Sequence, residues 1–260
     1  MRSSLDAAVA ALPRRDRILI VGCILALALL AWGYLVHVER QMASAAAHAA
    51  MGMAMDMPAE SLLFLFGMWS VMMLGMMAGP AMPMFLLFAA THARRGASRL
   101  PTATLLFGLG YAGVWIAFSG AAAFAQWALH EAAMLTPAMA TQSPRVGAAV
   151  LIAAGIYQLT PLKATCLVRC RSPLGFLMTA WRDGSFGALR MGLRFGSWCV
   201  GCCWALMAVL FVVGVMNLLW VAALMVLVLI EKTGPAGIAV SRGAGIIAIG
   251  AGILRLAGSL

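Results

Sequence analysis

Charge is what this sequence has least of. Only 10% of its 260 residues are Asp, Glu, Lys or Arg, while 64% are hydrophobic. Soluble chains carry about 25% charged residues, so a water-coated globule is excluded. Strand-like alternation of polar and apolar residues is also missing, which removes a closed membrane barrel. There is no Ser/His/Asp set, no paired carboxylates and no phosphate-binding glycine loop, which speaks against a hydrolase. The six cysteines lie mostly in or beside apolar runs and do not form an extracellular disulfide framework.

What is present is long apolar runs, and about 20 apolar residues span a bilayer as a helix. They cover Ile18–Val38, Leu62–Ala90, Thr104–Leu129, Val146–Thr160, Trp198–Ile230 and Gly243–Leu256. The run from Trp198 to Ile230 would make one helix about 50 Å long, too long for a ~30 Å hydrocarbon core. Two short helices turning at Asn217 fit better. The expected fold is therefore all-α, a polytopic transmembrane bundle of about seven spans. Its two parts are residues 1–60, an anchor helix plus a methionine- and histidine-rich outer loop, and residues 61–260, a multi-helix membrane domain. The first run lacks a small-residue cleavage site close behind it and reads as an anchor that is not removed.

The net charge of +10 does not imply nucleic acid, because the basic residues lie between apolar runs and not along one stripe. With the amino terminus inside, Arg2, Arg14, Arg15, Arg17, Arg94, Arg95, Arg99, Lys163, Arg169, Arg171, Arg182, Arg190, Arg194, Lys232 and Arg242 are cytoplasmic. Only Arg40, Arg145 and Arg255 are outside. That bias orients a multi-pass protein of a bacterial-type cytoplasmic membrane, with the lipid bilayer as its first partner. In the inner loop from Pro161 to Ser197, two short arginine-tagged segments, Pro173–Trp181 and Phe186–Phe195, read as interfacial helices.

Twenty methionines are many for this length. Met68, Met72 and Met76 share one helical face, Met73 and Met77 form the adjacent row, and Pro80 and Pro83 should bend or tilt the long second helix. Methionine fills irregular gaps between helices, but thioethers are also soft neutral ligands suited to a Cu(I) route. In the outer loop His48, Met51, Met53, Met55 and Met57 place sulfur at every second position of a segment with no core to fill. That pattern points to metal capture.

Cysteines supply the stronger signal. Spacings of three and four put Cys199, Cys202 and Cys203 on one face at the start of the fifth helix. Cys166 and Cys170, four apart, follow the fourth helix. If the intervening loop folds back, five thiols converge near the inner leaflet, a set suited to Cu(I) and second to Zn(II). Cys23 reads as a packing residue, and Glu231 with Lys232 as a local ion pair at the inner interface.

The segment Trp69-Ser70-Val71-Met72-Met73-Leu74-Gly75-Met76-Met77 resembles the tryptophan and double-methionine helix of the DUF2182 family of predicted metal-binding integral membrane proteins. So does Tyr157-Gln158-Leu159-Thr160-Pro161-Leu162-Lys163 with Cys166, Cys170 and Pro173. The most specific block runs from Gly187-Ala188-Leu189-Arg190-Met191-Gly192 through Cys199-Val200-Gly201-Cys202-Cys203-Trp204 to Gly214-Val215-Met216-Asn217. The resemblance covers roughly residues 60 to 255 and implies a multi-pass helical protein that binds metal. It also implies a histidine where this chain has Phe195, so one candidate ligand is lacking here.

The leading expectation is a membrane protein that binds Cu(I) for uptake, transfer or delivery, with a cuproprotein, another membrane protein or a second copy as possible partners. The rivals are a membrane thiol–disulfide oxidoreductase using Cys199/Cys202 or Cys166/Cys170, and an accessory subunit whose glycine-rich last helix (Gly243, Gly245, Gly250, Gly252) packs closely in a larger complex.

Overall fold

A computed structural model describes residues 12–50, 61–95, 100–132, 134 and 139–258. The described residues are overwhelmingly helical. The helices are α1 (Arg14–Ala50), α2 (Leu62–Arg94), α3 (Leu100–Glu131), α4 (Pro144–Leu159) and α5 (Pro161–Arg171), followed by α6 (Pro173–Ala180), α7 (Ser185–Ala208), α8 (Leu210–Val213), α9 (Leu218–Thr233) and α10 (Gly237–Leu256).

Prolines set the short elements. Pro161 and Pro173 each stand at the first position of a new helix, where a missing N–H costs nothing, and the preceding residue is driven out of the helical region. Thr160 then caps α5 by accepting from the Lys163 amide at 3.3 Å. As a result α4 and α5 meet at a bend of 63°. By contrast α2 runs unbroken past Pro80 and Pro83.

Among the described residues, five helical segments are long and apolar enough to cross a membrane: Arg14–Ser44, Leu62–Arg94, Leu100–Glu131, Phe186–Val213 and Gly237–Leu256. The bent pair of α4 and α5 passes the same test as one broken unit. The apolar helix α9 is shorter, with 16 residues.

Two expectations for the region after Pro161 need correction. Phe186–Phe195 is not an interfacial helix but the first half of α7, which runs on through Trp198. Arg190 and Arg194 looked like polar punctuation, yet arginine is a good helix former and ends nothing by itself. Its charge is accommodated sideways, as where the Arg190 guanidinium lies 5.2 Å from the Phe186 ring centre. Consequently Cys199, Cys202 and Cys203 lie midway along the Phe186–Val213 segment and not at its start. The turn at the other end stands where the sequence puts it. Gly214 has φ 96°, a conformation that favours glycine, and the Asn217 side chain caps α9 by accepting from the Trp220 amide at 3.4 Å.

Close helix crossings hold the bundle. A Cβ on Gly110 of α3 would strike the Leu189 carbonyl, and one on Gly192 of α7 would strike the Phe107 carbonyl, so these two helices meet backbone to backbone. On α10, Gly245 and Gly252 give the same approach to α4, through the carbonyls of Gly155 and Ala148, whereas Gly243 and Gly250 face open space. The small-residue face of the last helix is thus partly used within the chain. Around these crossings one large core gathers the α2 methionines, Phe107, Tyr111, Trp115 and the α7 cysteines.

Candidate metal centre

Four of the five cysteines expected to converge do so. Cys202 Sγ lies 3.2 Å from Cys203 Sγ and 3.8 Å from Cys170 Sγ. Cys199 Sγ interacts with the Cys170 and Cys203 thiols. The α5 helix brings Cys170 onto α7, because the bend at Pro161 folds it back over that helix. All four are buried, Cys199 and Cys202 to 1% exposure. Cys166 is buried too, but it packs against Gly201, where a Cβ would lie 3.1 Å from its sulfur. Cys23 is exposed on α1, so it is neither part of the cluster nor a packing residue.

The sulfurs form a chain of contacts. Among the described residues, no three His, Cys, Asp or Glu side chains already enclose an ion position. A two-coordinate soft ion needs less: two sulfurs on opposite sides, with neutral thioethers nearby.

Of the α2 methionines, Met77 reaches this centre, its Sδ lying 3.9 Å from Lys232 Nζ. Met68, Met72, Met73 and Met76 are all buried to 0–1% and continue the same column away from the cysteines. At the far end of that column, the Trp69 indole donates to Gln126 Oε1 at 2.6 Å and Gln126 Nε2 donates to Met139 Sδ at 2.8 Å. Of the outer-loop candidates, Met51, Met53, Met55 and Met57 lie outside the described residues. His48 falls within the α1 backbone range, with its side chain outside what is described.

Sequence reasoning missed the polar members. Lys232 is buried and its Nζ lies 2.8 Å from Cys199 Sγ. It does not pair with Glu231, whose partner is Lys163 at 2.8 Å, with both side chains at 0–1% exposure. Gln158 Nε2 adds a bond to the same carboxylate at 3.3 Å. Tyr111 donates to the Met77 carbonyl at 3.2 Å and lies equally close to Cys199 Sγ. Phe195, at the position where a histidine was implied, stacks on Phe107 and Tyr111 and so fills space beside the site. One signal pointed to the lysines. The chain has only two, Lys163 and Lys232, among many arginines, and an ionisable residue inside an apolar bundle marks function by default.

The donors assembled here are soft, a set that suits Cu(I), zinc or an iron–sulfur cluster. A family profile described as PpoB2 copper chaperone matches residues 66–255. The chain belongs to that family. The matched region contains α3 to α9 entire, with almost all of α2 and α10, and so contains every cysteine of the cluster, Met77 and Lys232. No curated protein and no solved structure matches the chain.

Proposed function

We propose that the chain is a multi-pass protein of a bacterial-type cytoplasmic membrane that takes Cu(I) as cargo, holds it among Cys170, Cys199, Cys202, Cys203 and Met77, and passes it on. The observation that carries this reading is the contact of Cys202 Sγ with both a neighbour on its own helix and Cys170 on another, inside a family named for copper. Seven spans with the amino terminus inside agree with the charge distribution, α4 with α5 and α9 being the short members. The buried column from Met68 to Met77 supplies neutral ligands along which a soft ion can step from thioether to thioether.

Anaerobic loading of the purified protein with Cu(I), followed by elemental analysis, tests the site. About one copper per chain is expected in the parent, and a large loss in the variant with Cys199, Cys202 and Cys203 changed to serine. No copper in the parent, or equal copper in the variant, overturns it.

Thiol–disulfide exchange, the enzymatic alternative, is disfavoured by burial. A protein disulfide has to reach the attacking sulfur, and Cys199 and Cys202 are 1% exposed. The cluster thus serves a small ion better than a protein substrate.

A further inference from the structure

A buried ammonium needs an anion, and the contacts of Lys232 Nζ among the described residues are sulfur. Its Nζ contacts are Cys199 Sγ at 2.8 Å and Met77 Sδ at 3.9 Å. The one acidic side chain buried among the described residues, Glu231, is engaged by Lys163 at 2.8 Å. Arg171 fastens the same end of α9 through the carbonyls of Glu231, at 2.9 Å, and Gly234, at 2.6 Å. Lys232 is therefore held at the cysteines with its charge unanswered by any carboxylate of the described residues. In a low-dielectric interior an unbalanced charge is strongly disfavoured, so the bound state of this site is governed by its charge sum.

Lysine suits such a place. Its ammonium is a compact point charge that adds a cation without adding a ligand, whereas guanidinium is broad and forked. Cu(I) held by two thiolates carries one net negative charge. Three thiolates leave two negative charges, and one thiolate with a thioether leaves none. Only the two-thiolate complex is neutralised by one ammonium.

We propose that Lys232 is the counter-charge of the copper site, fixing the cargo as one Cu(I) ion held by two thiolates, Cys199 one of them. This inference rests on the copper reading above and assigns Lys232 as a positioning residue that acts through Cys199 and makes no bond to the metal.

The test uses the full chain, purified in detergent and loaded anaerobically with Cu(I). Competition with a chromophoric Cu(I) chelator gives affinity, and X-ray absorption at the copper edge gives the number of sulfur ligands. Two-sulfur coordination is expected in the parent and, with the Met77 thioether removed, in Met77→Leu as well. Lys232→Met is expected to weaken binding at least about tenfold, as for loss of a close buried charge pair. Lys232→Arg, which keeps the charge, should restore most of that loss; a merely space-filling lysine would not be rescued by charge. If Lys232→Met does not fold, the sulfur counts of the parent and Met77→Leu and the affinity of Lys232→Arg still decide. Three-sulfur coordination that persists in Met77→Leu, full affinity in Lys232→Met, or equal losses in both lysine variants overturns the inference alone. A parent that binds no copper overturns the metal reading beneath it.

Discussion

Glu231 and Lys232 are consecutive residues at the end of α9, and they belong to two unlike networks. Glu231 joins one built of oxygen and nitrogen. It takes Lys163 and Gln158, and Gln158 Oε1 lies 3.5 Å from Ser241 Oγ. Lys232 joins one built of sulfur, through Cys199, the other cysteines and Met77. The first network is closed, because its opposite charges cancel and it ties α4, α5, α9 and α10 together. The second is open, with a cation set against groups whose charge depends on what they hold. A closed polar network serves the fold, and an open one serves a cargo. Substitutions should separate the two, since damage to the first costs stability and damage to the second costs copper.

The largest expected effect on stability is at Glu231. In Glu231→Gln the Lys163 ammonium loses its counter-ion at 1% exposure, and a broken buried pair costs about 3–5 kcal/mol. Thermal or denaturant unfolding of the detergent-solubilised protein measures it. The double variant Lys163→Met with Glu231→Leu removes both charges and should recover most of the loss, because apolar replacement of a whole pair is often neutral. If the single variant is as stable as the parent, the contrast between the two networks fails.

The same contrast shows what a sequence can and cannot tell. Long apolar runs foretold α1, α2, α3 and α10, since periodic burial in lipid leaves no ambiguity about helix. The turn at Asn217 was legible from length alone. The boundary at Ser185 was not, because arginines inside α7 mimic a polar loop. Cysteine spacing identified Cys199, Cys202 and Cys203 as one face, and the prolines hinted at the fold-back that adds Cys170. Lys232 was hidden by its neighbour. Two opposite charges side by side look like a pair, but successive side chains on a helix diverge by about 100°, and only the packing of α5 and α7 shows that each charge leaves for a different helix. Tyr111 carries no motif, and its role follows from the crossing of α3 with α7.

A middle-sized effect is expected where the two kinds of network touch. Trp69 donates to Gln126, and Gln126 donates to Met139 Sδ, so nitrogen and sulfur share one chain there. Trp69→Phe keeps most of the ring contact with Phe211, whose centroid is 5.3 Å away, but removes the donor. Interhelical hydrogen bonds in membrane proteins are worth about 0.6 kcal/mol on average and at most about 1.7. The variant should therefore lose about 1 kcal/mol in unfolding measurements, less than Glu231→Gln. Copper bound at the cysteines should be unchanged, because Trp69 lies at the other end of the methionine column. A loss of copper as large as that in a cysteine variant would show that the column and the cluster act as one site.

The smallest expected effect on the fold is at Cys202, although the sulfur cluster depends on it. Its thiol donates to the Cys199 carbonyl at 3.1 Å, a bond to the preceding turn of its own helix that a serine hydroxyl makes as well. Serine is slightly smaller, so Cys202→Ser leaves little cavity, and a change under about 1 kcal/mol is expected for a substitution that unpairs no buried charge. What it removes is the soft donor between Cys203 and Cys170, and hydroxyl oxygen is a poor ligand for Cu(I). Unfolding and copper stoichiometry measured on one preparation should therefore part company, with the transition close to that of the parent and the metal largely gone. Were the transition to fall as far as in Glu231→Gln while copper stayed, the cysteines would be packing residues and the open network would have no cargo.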